Sequence, residues 1–232
     1  YVTVSNMPDI KTDVSTRLKN GNHILLVRMS QTLEKSKGFL LDSITAINYY
    51  QGSPQRIFLR YRYTYKNNLQ FGIAAEKDAG EEFFKGSQKQ GFDFYSAHLF
   101  IKNIGIIKSI AIGDFTINMG QGLTQWMSLA FKKGPDVMAI KRNSAVLRAF
   151  NSSGEIYYHR GAGITIGKKN WQATLFGTIR KVDANFNADT SNSQIEFISS
   201  LQTTGLHRTK SEIEDKSAQG QLAFGGNISY LF

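Results

Sequence analysis

The chain has 232 residues, 20% charged and 12% aromatic, with 21 Gly, 3 Pro, no Cys and a formal net charge of +10. That length suffices for one large domain, and the missing Cys removes both a disulfide framework and a thiolate zinc site. No run of ~18 apolar residues occurs, so no transmembrane helix is expected, although strands that cross a bilayer are only weakly apolar overall. The Lys and Arg excess either attracts anions (solutes, lipopolysaccharide phosphates, nucleic acid) or lines a polar interior paired with Asp and Glu.

The chain opens at Tyr1 without Met or a charged-then-apolar leader, which reads as a processed form or a fragment. Residues 1–21 read as a lead-in. Asp9 stands at the start of a short helix over Ile10–Lys19, and Gly21 ends it. A two-residue period then begins, weakly over Ile24–Leu33. It is clearest over Arg56–Lys66. There Ile57, Leu59, Tyr61, Tyr63 and Tyr65 share one face, and Arg56, Phe58, Arg60, Arg62, Thr64 and Lys66 the other. Leu69–Glu76 repeats the period weakly. Phe94–Lys102 sets Tyr95, Ala97, Leu99 and Ile101 against Ser96, His98 and Lys102. Lys108–Met119 sets Ala111, Phe115, Ile117 and Met119 against Lys108, Asp114, Thr116 and Asn118. Tyr157–Ile166 is weak. Trp171–Arg180 carries Trp171, Ala173, Leu175, Gly177 and Ile179 on one side, and Leu222–Phe232 carries Leu222, Phe224, Ile228, Tyr230 and Phe232.

The connections alternate in length. Short links fall at Lys66–Asn68, Asn103–Gly105 and Lys168–Asn170; long polar loops fall at 34–55, 78–91, 120–154 and 183–217. Tight turns on one rim and long loops on the other are how outer-membrane barrels are built. The expected fold is all-β. Residues 22–232 form an antiparallel up-and-down transmembrane β-barrel, or part of one, with about eight strands. Tyr63, Tyr65, Trp171, Tyr230 and Phe232 lie near strand ends, the depth that Trp and Tyr favour at a headgroup layer. Thr209 with Glu212, and Ser211 with Glu214, have capping-box spacing and point to a short helix over Glu212–Ser217. The apolar stretch Leu123–Phe131 reads either as a strand extension or as a plug folded inward.

A set of motifs runs in order along the chain: RYRY at 60–63, EKDAGE at 76–81, GFDFYS at 91–96, IGDF at 112–115 with GQGL at 120–123, RGA at 160–162, TGLHRT at 204–209 and GGN at 225–227. In this order the chain resembles the large outer-membrane proteins of Bacteroidota described as helix-hairpin-helix domain-containing. The resemblance implies a larger barrel of which this chain is an internal piece. It also implies a preceding helix-hairpin-helix module, of a kind that binds DNA backbones elsewhere; no such hairpin is visible at residues 1–21. A DNA partner is implied by the resemblance alone.

Charged residues on the second face are the candidate interior network: Arg60, Arg62, Glu76, Asp78, Asp114 and Arg180. Arg60 and Arg62 are expected to ladder with Glu76 and Asp78, either as a structural brace or as a mixed-charge eyelet on an anion or solute path. Glu81, His207 and Arg208 are candidate binding residues in the loops. Ser96 and His98 share a face, but lipid hydrolysis would need them on the other one, so no catalytic residue is assigned. His23, His159 and His207 show no metal-ligand spacing, and no phosphate-loop pattern frames the glycines. No cofactor is expected. The functional expectation is a non-enzymatic outer-membrane barrel, giving a charged-lumen channel or a surface-binding scaffold. Its partners would be membrane lipid, lipopolysaccharide and envelope proteins. Two alternatives stand beside it: a scaffold for an envelope assembly handling DNA or secreted protein, and a soluble antiparallel β-sandwich binding module.

Overall fold

The computed structural model describes residues 18–42, 46–128, 142, 144–189 and 192–230, with backbone alone over 187–189 and 192–196. The helix expected over Ile10–Lys19 falls, but for its last two residues, outside them. The stretch Leu123–Phe131 is described only as far as Ser128.

Alternating sequence builds long strands. In chain order they are β1 (Asn22–Ser30), β2 (Arg56–Tyr65), β3 (Leu69–Lys77), β4 (Phe94–Ile104), β5 (Ile107–Met119), β6 (Gln125–Trp126), β7 (Leu147–Ala149), β8 (His159–Lys168), β9 (Trp171–Val182), β10 (Ala184–Asp189), β11 (Asn192–Leu201) and β12 (Gln219–Tyr230). An α-helix, α1, spans Lys210–Asp215. Eight strands form one antiparallel path, β1-β2-β3-β4-β5-β8-β9-β12. The short β6 and β7 pair with β5, and β10 with β11 forms a separate hairpin. The protein is thus all-β. Among the described residues β1 and β12 do not pair with each other, so the sheet is seen open.

The short turns follow β2, β4 and β8. Lys66, Asn103 and Lys169 take φ of 47°, 57° and 52° there, the left-handed geometry of tight hairpins. All long connections lie on the opposite rim. Two of them carry elements of their own: 120–154 contains β6 and β7, and 183–217 contains the β10–β11 hairpin and α1.

Register decides which side chains share a face. Leu25 pairs with Tyr61 and Val27 with Leu59; Ile73 pairs with both Tyr61 and Ala97. Leu99 pairs with Ile112, Ile164 with Leu175, and Ile179 with Leu222. These residues form one apolar face running across all eight strands. Much of it is bare: Leu175 is 63% exposed, Ile179 72% and Phe224 84%.

The other face is covered. Phe100, Ala111, Phe115, Ile117 and Leu147 form one buried cluster there, and Phe94, Phe150 and Tyr158 another. The expected facing of the fifth strand is therefore reversed. Ala111, Phe115, Ile117 and Met119 were expected on the bare apolar face, yet Phe115 and Ile117 are wholly buried on the covered one. This strand is apolar on both sides, because Ile110 and Ile112 lie opposite. Its facing is fixed only by its partners, Ala111 to Phe100 and Ile112 to Leu99. Asp114, one residue from Phe115, is itself buried and lies opposite Arg160 of β8.

Candidate functional site

Two constellations of charge result, one on the covered face and one at the long-loop rim. On the covered face β2 and β3 bring Arg56 to Glu76 and Asp78: Nη2 lies 2.8 Å from Glu76 Oε1, and Nε 2.7 Å from Asp78 Oδ1. The expected ladder therefore exists with a different guanidinium. Phe58 pairs with Glu76, which leaves Arg56 diagonal to it, whereas Arg60 and Arg62 pair with Ala74 and Gly72. Arg60 instead donates from Nη1 to the Asn151 carbonyl at 3.1 Å. Nε of Arg60 and Nε of Arg62 are buried without a hydrogen-bond partner. Lys77, fully buried, donates from Nζ to the Ser53 and Asp78 carbonyls at 2.9 and 3.1 Å.

Asp114 is covered by its cross-strand partner Arg160, which donates from Nε and Nη2 at 2.7 and 2.9 Å. Arg180 donates from Nε to Gln221 at 2.9 Å and from Nη1 to the Tyr158 carbonyl at 2.7 Å. Its guanidinium sits 5.0 Å above the Tyr158 ring. Ser96 and His98 are buried; the His98 ring contacts Gln70 at 3.1 Å, and no hydrogen bond joins the two among the described residues. Packing on this face is completed by Thr165 and Thr174, whose hydroxyls meet at 2.9 Å.

At the long-loop rim His207 is the hub. Its ring nitrogens lie 2.6 Å from Asp93 Oδ2 and 3.0 Å from Asp183 Oδ2. Its backbone N–H donates to Glu81 Oε1 at 3.0 Å, and Glu81 Oε2 accepts from the Asp78 N–H at 2.7 Å. Lys216 Nζ donates to Asp93 Oδ1 at 2.8 Å, and the Ser217 N–H to Asp183 Oδ1 at 2.7 Å. Arg208, next along, pairs with Glu212 at 2.8 Å and stacks 4.7 Å over Tyr50. Thr209 and Glu212 close the expected capping box, and α1 starts at Lys210, two residues ahead of the expected Glu212. The Gln51 N–H donates to the Arg208 carbonyl at 2.8 Å, which ties the first long loop to the last.

The charges are mutually adjusted. Burial opposes charge on His207, but the hydrogen bonds and charges of Asp183 and Asp93 outweigh it and raise its pKa to about 10. Burial also works against the Asp183 carboxylate, yet the hydrogen bonds from His207 and Ser217 hold its pKa below the ordinary value. Burial, with the Asp93 charge, pushes Glu81 up to about 7. Burial, then Asp93 and Glu81, pushes Glu155 up to about 9, so it is neutral near pH 7.

Glu81, Asp93 and His207 bring one ligand-type atom each within 4.8 Å of one another. Each His207 nitrogen already faces a carboxylate oxygen, Asp93 on one side and Asp183 on the other. The set is built for charge pairing. Beside it lies a cleft of about 820 Å³ bordered by Tyr50, Asn185, Gln202, Arg208 and Asp215. Glu81, His207 and Arg208 thus do come together. Asp93, Asp183, Glu155 and Lys216 were missed, because their partners lie tens to more than a hundred residues away along the chain.

No family model, no curated protein and no solved structure matches the chain.

Proposed function

We propose that the sheet is the wall of an outer-membrane β-barrel that performs no covalent chemistry. Its bare face meets hydrocarbon, its covered face lines an aqueous interior, and its long loops form an outer binding rim. One observation carries this reading: an apolar face continuous over eight strands, exposed at Leu25, Val27, Met29, Leu175, Ile179, Leu222, Phe224 and Ile228. Apolar patches on soluble monomers rarely exceed a few hundred Å². The strands hold nine to thirteen residues, the length that crosses a bilayer with tilt. Trp171 and Tyr230 pair at 4.9 Å between ring centres, beside the short-turn rim, where an aromatic girdle belongs. In lipid the open edges of β1 and β12 must be paired, either with each other or with further strands.

The packed loop rim favours surface binding beside passage. The resemblance to the Bacteroidota outer-membrane family points the same way, and a role as scaffold for a larger envelope assembly fits the same geometry. The test uses Trp171. The protein is refolded into vesicles of lipids brominated at different acyl depths, with Trp126→Phe removing the second indole. Depth-dependent quenching of Trp171, with slower gel migration after boiling, is expected. A chain that stays dispersed in plain buffer and shows no quenching is instead a soluble sheet protein.

A further inference from the structure

The covered face carries more positive charge at its β1–β2 end than its own carboxylates neutralise. Arg28, Arg56, Arg60 and Arg62 stand there with Glu76 and Asp78, and Arg56 holds both acids. Among the described residues Arg28 and Arg60 have no carboxylate partner. Both guanidinium groups lie over the Phe58 ring, at 5.4 and 5.9 Å from its centre. They border a cavity of about 440 Å³ whose remaining lining includes Asn151, Ser152 and Ser153, and no acidic residue. That volume lies within the roughly 300–1,000 Å³ of small-molecule sites.

Two polar atoms at this cavity are unsatisfied: Nε of Arg60 and Oδ1 of Asn151 are buried without partners. A buried donor left unpaired costs free energy, and a charged one costs more. An anionic oxygen between Arg28 and Arg60 removes that cost at Arg60. A guanidinium fork suits a planar or tetrahedral oxyanion better than it suits a halide, since it presents two parallel N–H groups. Arg62, two residues along the same face, repeats the buried unpartnered Nε, so the charge continues as a track towards His98.

We propose that this cavity binds the phosphate group of a soluble molecule, held by Arg28 and Arg60 with the Asn151 amide and the Ser152 hydroxyl. The inference rests on the reading of this face as aqueous. It favours a dissolved phosphate over a lipid headgroup because the site lies on the face away from the bare apolar one.

The experiment is calorimetric titration of the full chain, folded in detergent, with inorganic phosphate, and separately with micelles doped with phosphatidate. Saturable one-to-one phosphate binding is expected, weakened roughly tenfold or more in Arg60→Gln. Arg60→Lys keeps the charge and should lose less. Should Arg60→Gln not fold, as judged by its β-type circular dichroism, Arg28→Gln on the exposed edge gives the same readout. Absence of saturable phosphate binding by the folded wild type overturns the proposal. So does unchanged binding in Arg60→Gln, and so does binding of phosphatidate alone. Trp171 quenching is read independently, so failure of the membrane reading and failure of the phosphate site are separate results.

Discussion

Nδ1 of His207 lies 2.6 Å from Oδ2 of Asp93, closing a link across 114 residues of sequence. With Asp183 on its other nitrogen, the ring ties the loop before β4 to the loop after β9 and to the segment leading into α1. Its raised pKa makes the tie pH-dependent. The His207 contribution is complete below the unfolded value of about 6.5 and fades as pH climbs through about 10. Glu81 and Glu155, raised to about 7 and about 9, favour the fold while protonated, so the Glu81 contribution is lost by about pH 7 and the Glu155 contribution by about pH 9. Asp183 has the opposite sign: its pKa is lowered, and its contribution is lost only in acid. The long-loop rim should therefore loosen between about pH 7 and about pH 10 while the sheet stays intact. Hydrogen exchange over 78–93 and 202–217, referenced to β9 and β12, reads this directly. His207→Gln should bring the loosening down to neutral pH. Equal protection at both pH values would sink the clamp.

Leu175 separates the membrane reading from the soluble one with a single substitution. It sits 63% exposed in the middle of β9, paired with Ile164 and Gly226. On a water-facing surface Leu175→Arg is close to neutral. Facing the bilayer midplane it costs about 2–4 kcal/mol. Urea unfolding of the vesicle-inserted protein should show a loss of that size, with lower insertion yield. A variant as stable as the parent places Leu175 in water.

Much of the sheet was legible because the period of two is a local signal. β2 and β9 start at the residues where the alternation begins, and all three tight turns fall at their Lys or Asn positions. The Thr209–Glu212 box was legible for the same reason. What stayed hidden needed register. Ile110 and Ile112 are as apolar as Ala111 and Phe115, so only the pairing with β4 orients β5. Arg56 and Arg60 share one face, and only the offset between β2 and β3 gives Glu76 to the former. The β10–β11 hairpin lies in a largely polar stretch, and the His207 cluster joins positions that no spacing rule connects.

Gly113 marks where β5 changes partner. β4 pairs with β5 up to His98 opposite Gly113, and β7 pairs with it from Phe115 onward. Gly113 takes φ of +88°, and a Cβ there would meet the Ala97 carbonyl oxygen at 2.3 Å. Neither strain is relieved by moving a side chain, because the obstacle is backbone. Gly113→Ala should therefore destabilise by about 1–3 kcal/mol, whereas Gly177→Ala, where a Cβ meets nothing within 4 Å, should be near neutral. Denaturant titration of the pair checks this; equal midpoints would remove Gly113 from the account of the β4–β7 exchange.

The Arg56–Glu76 pair gives a test of what the covered face needs for stability. The Glu76 side chain is 2% exposed and that of Arg56 44%, so truncating the arginine leaves a buried carboxylate without its main counter-charge. The exposed half of the pair tempers the loss, and about 1–3 kcal/mol is expected for Arg56→Ala. Glu76→Gln alone removes the charge but keeps an acceptor for the guanidinium, and should cost less. Combining the two should be milder than their sum, because the buried charge that makes Arg56→Ala costly is then absent. A double-mutant cycle in urea measures the coupling. Strict additivity would mean the 2.8 Å contact contributes nothing beyond packing, and that the covered face tolerates an unpaired carboxylate as only a well-hydrated interior does.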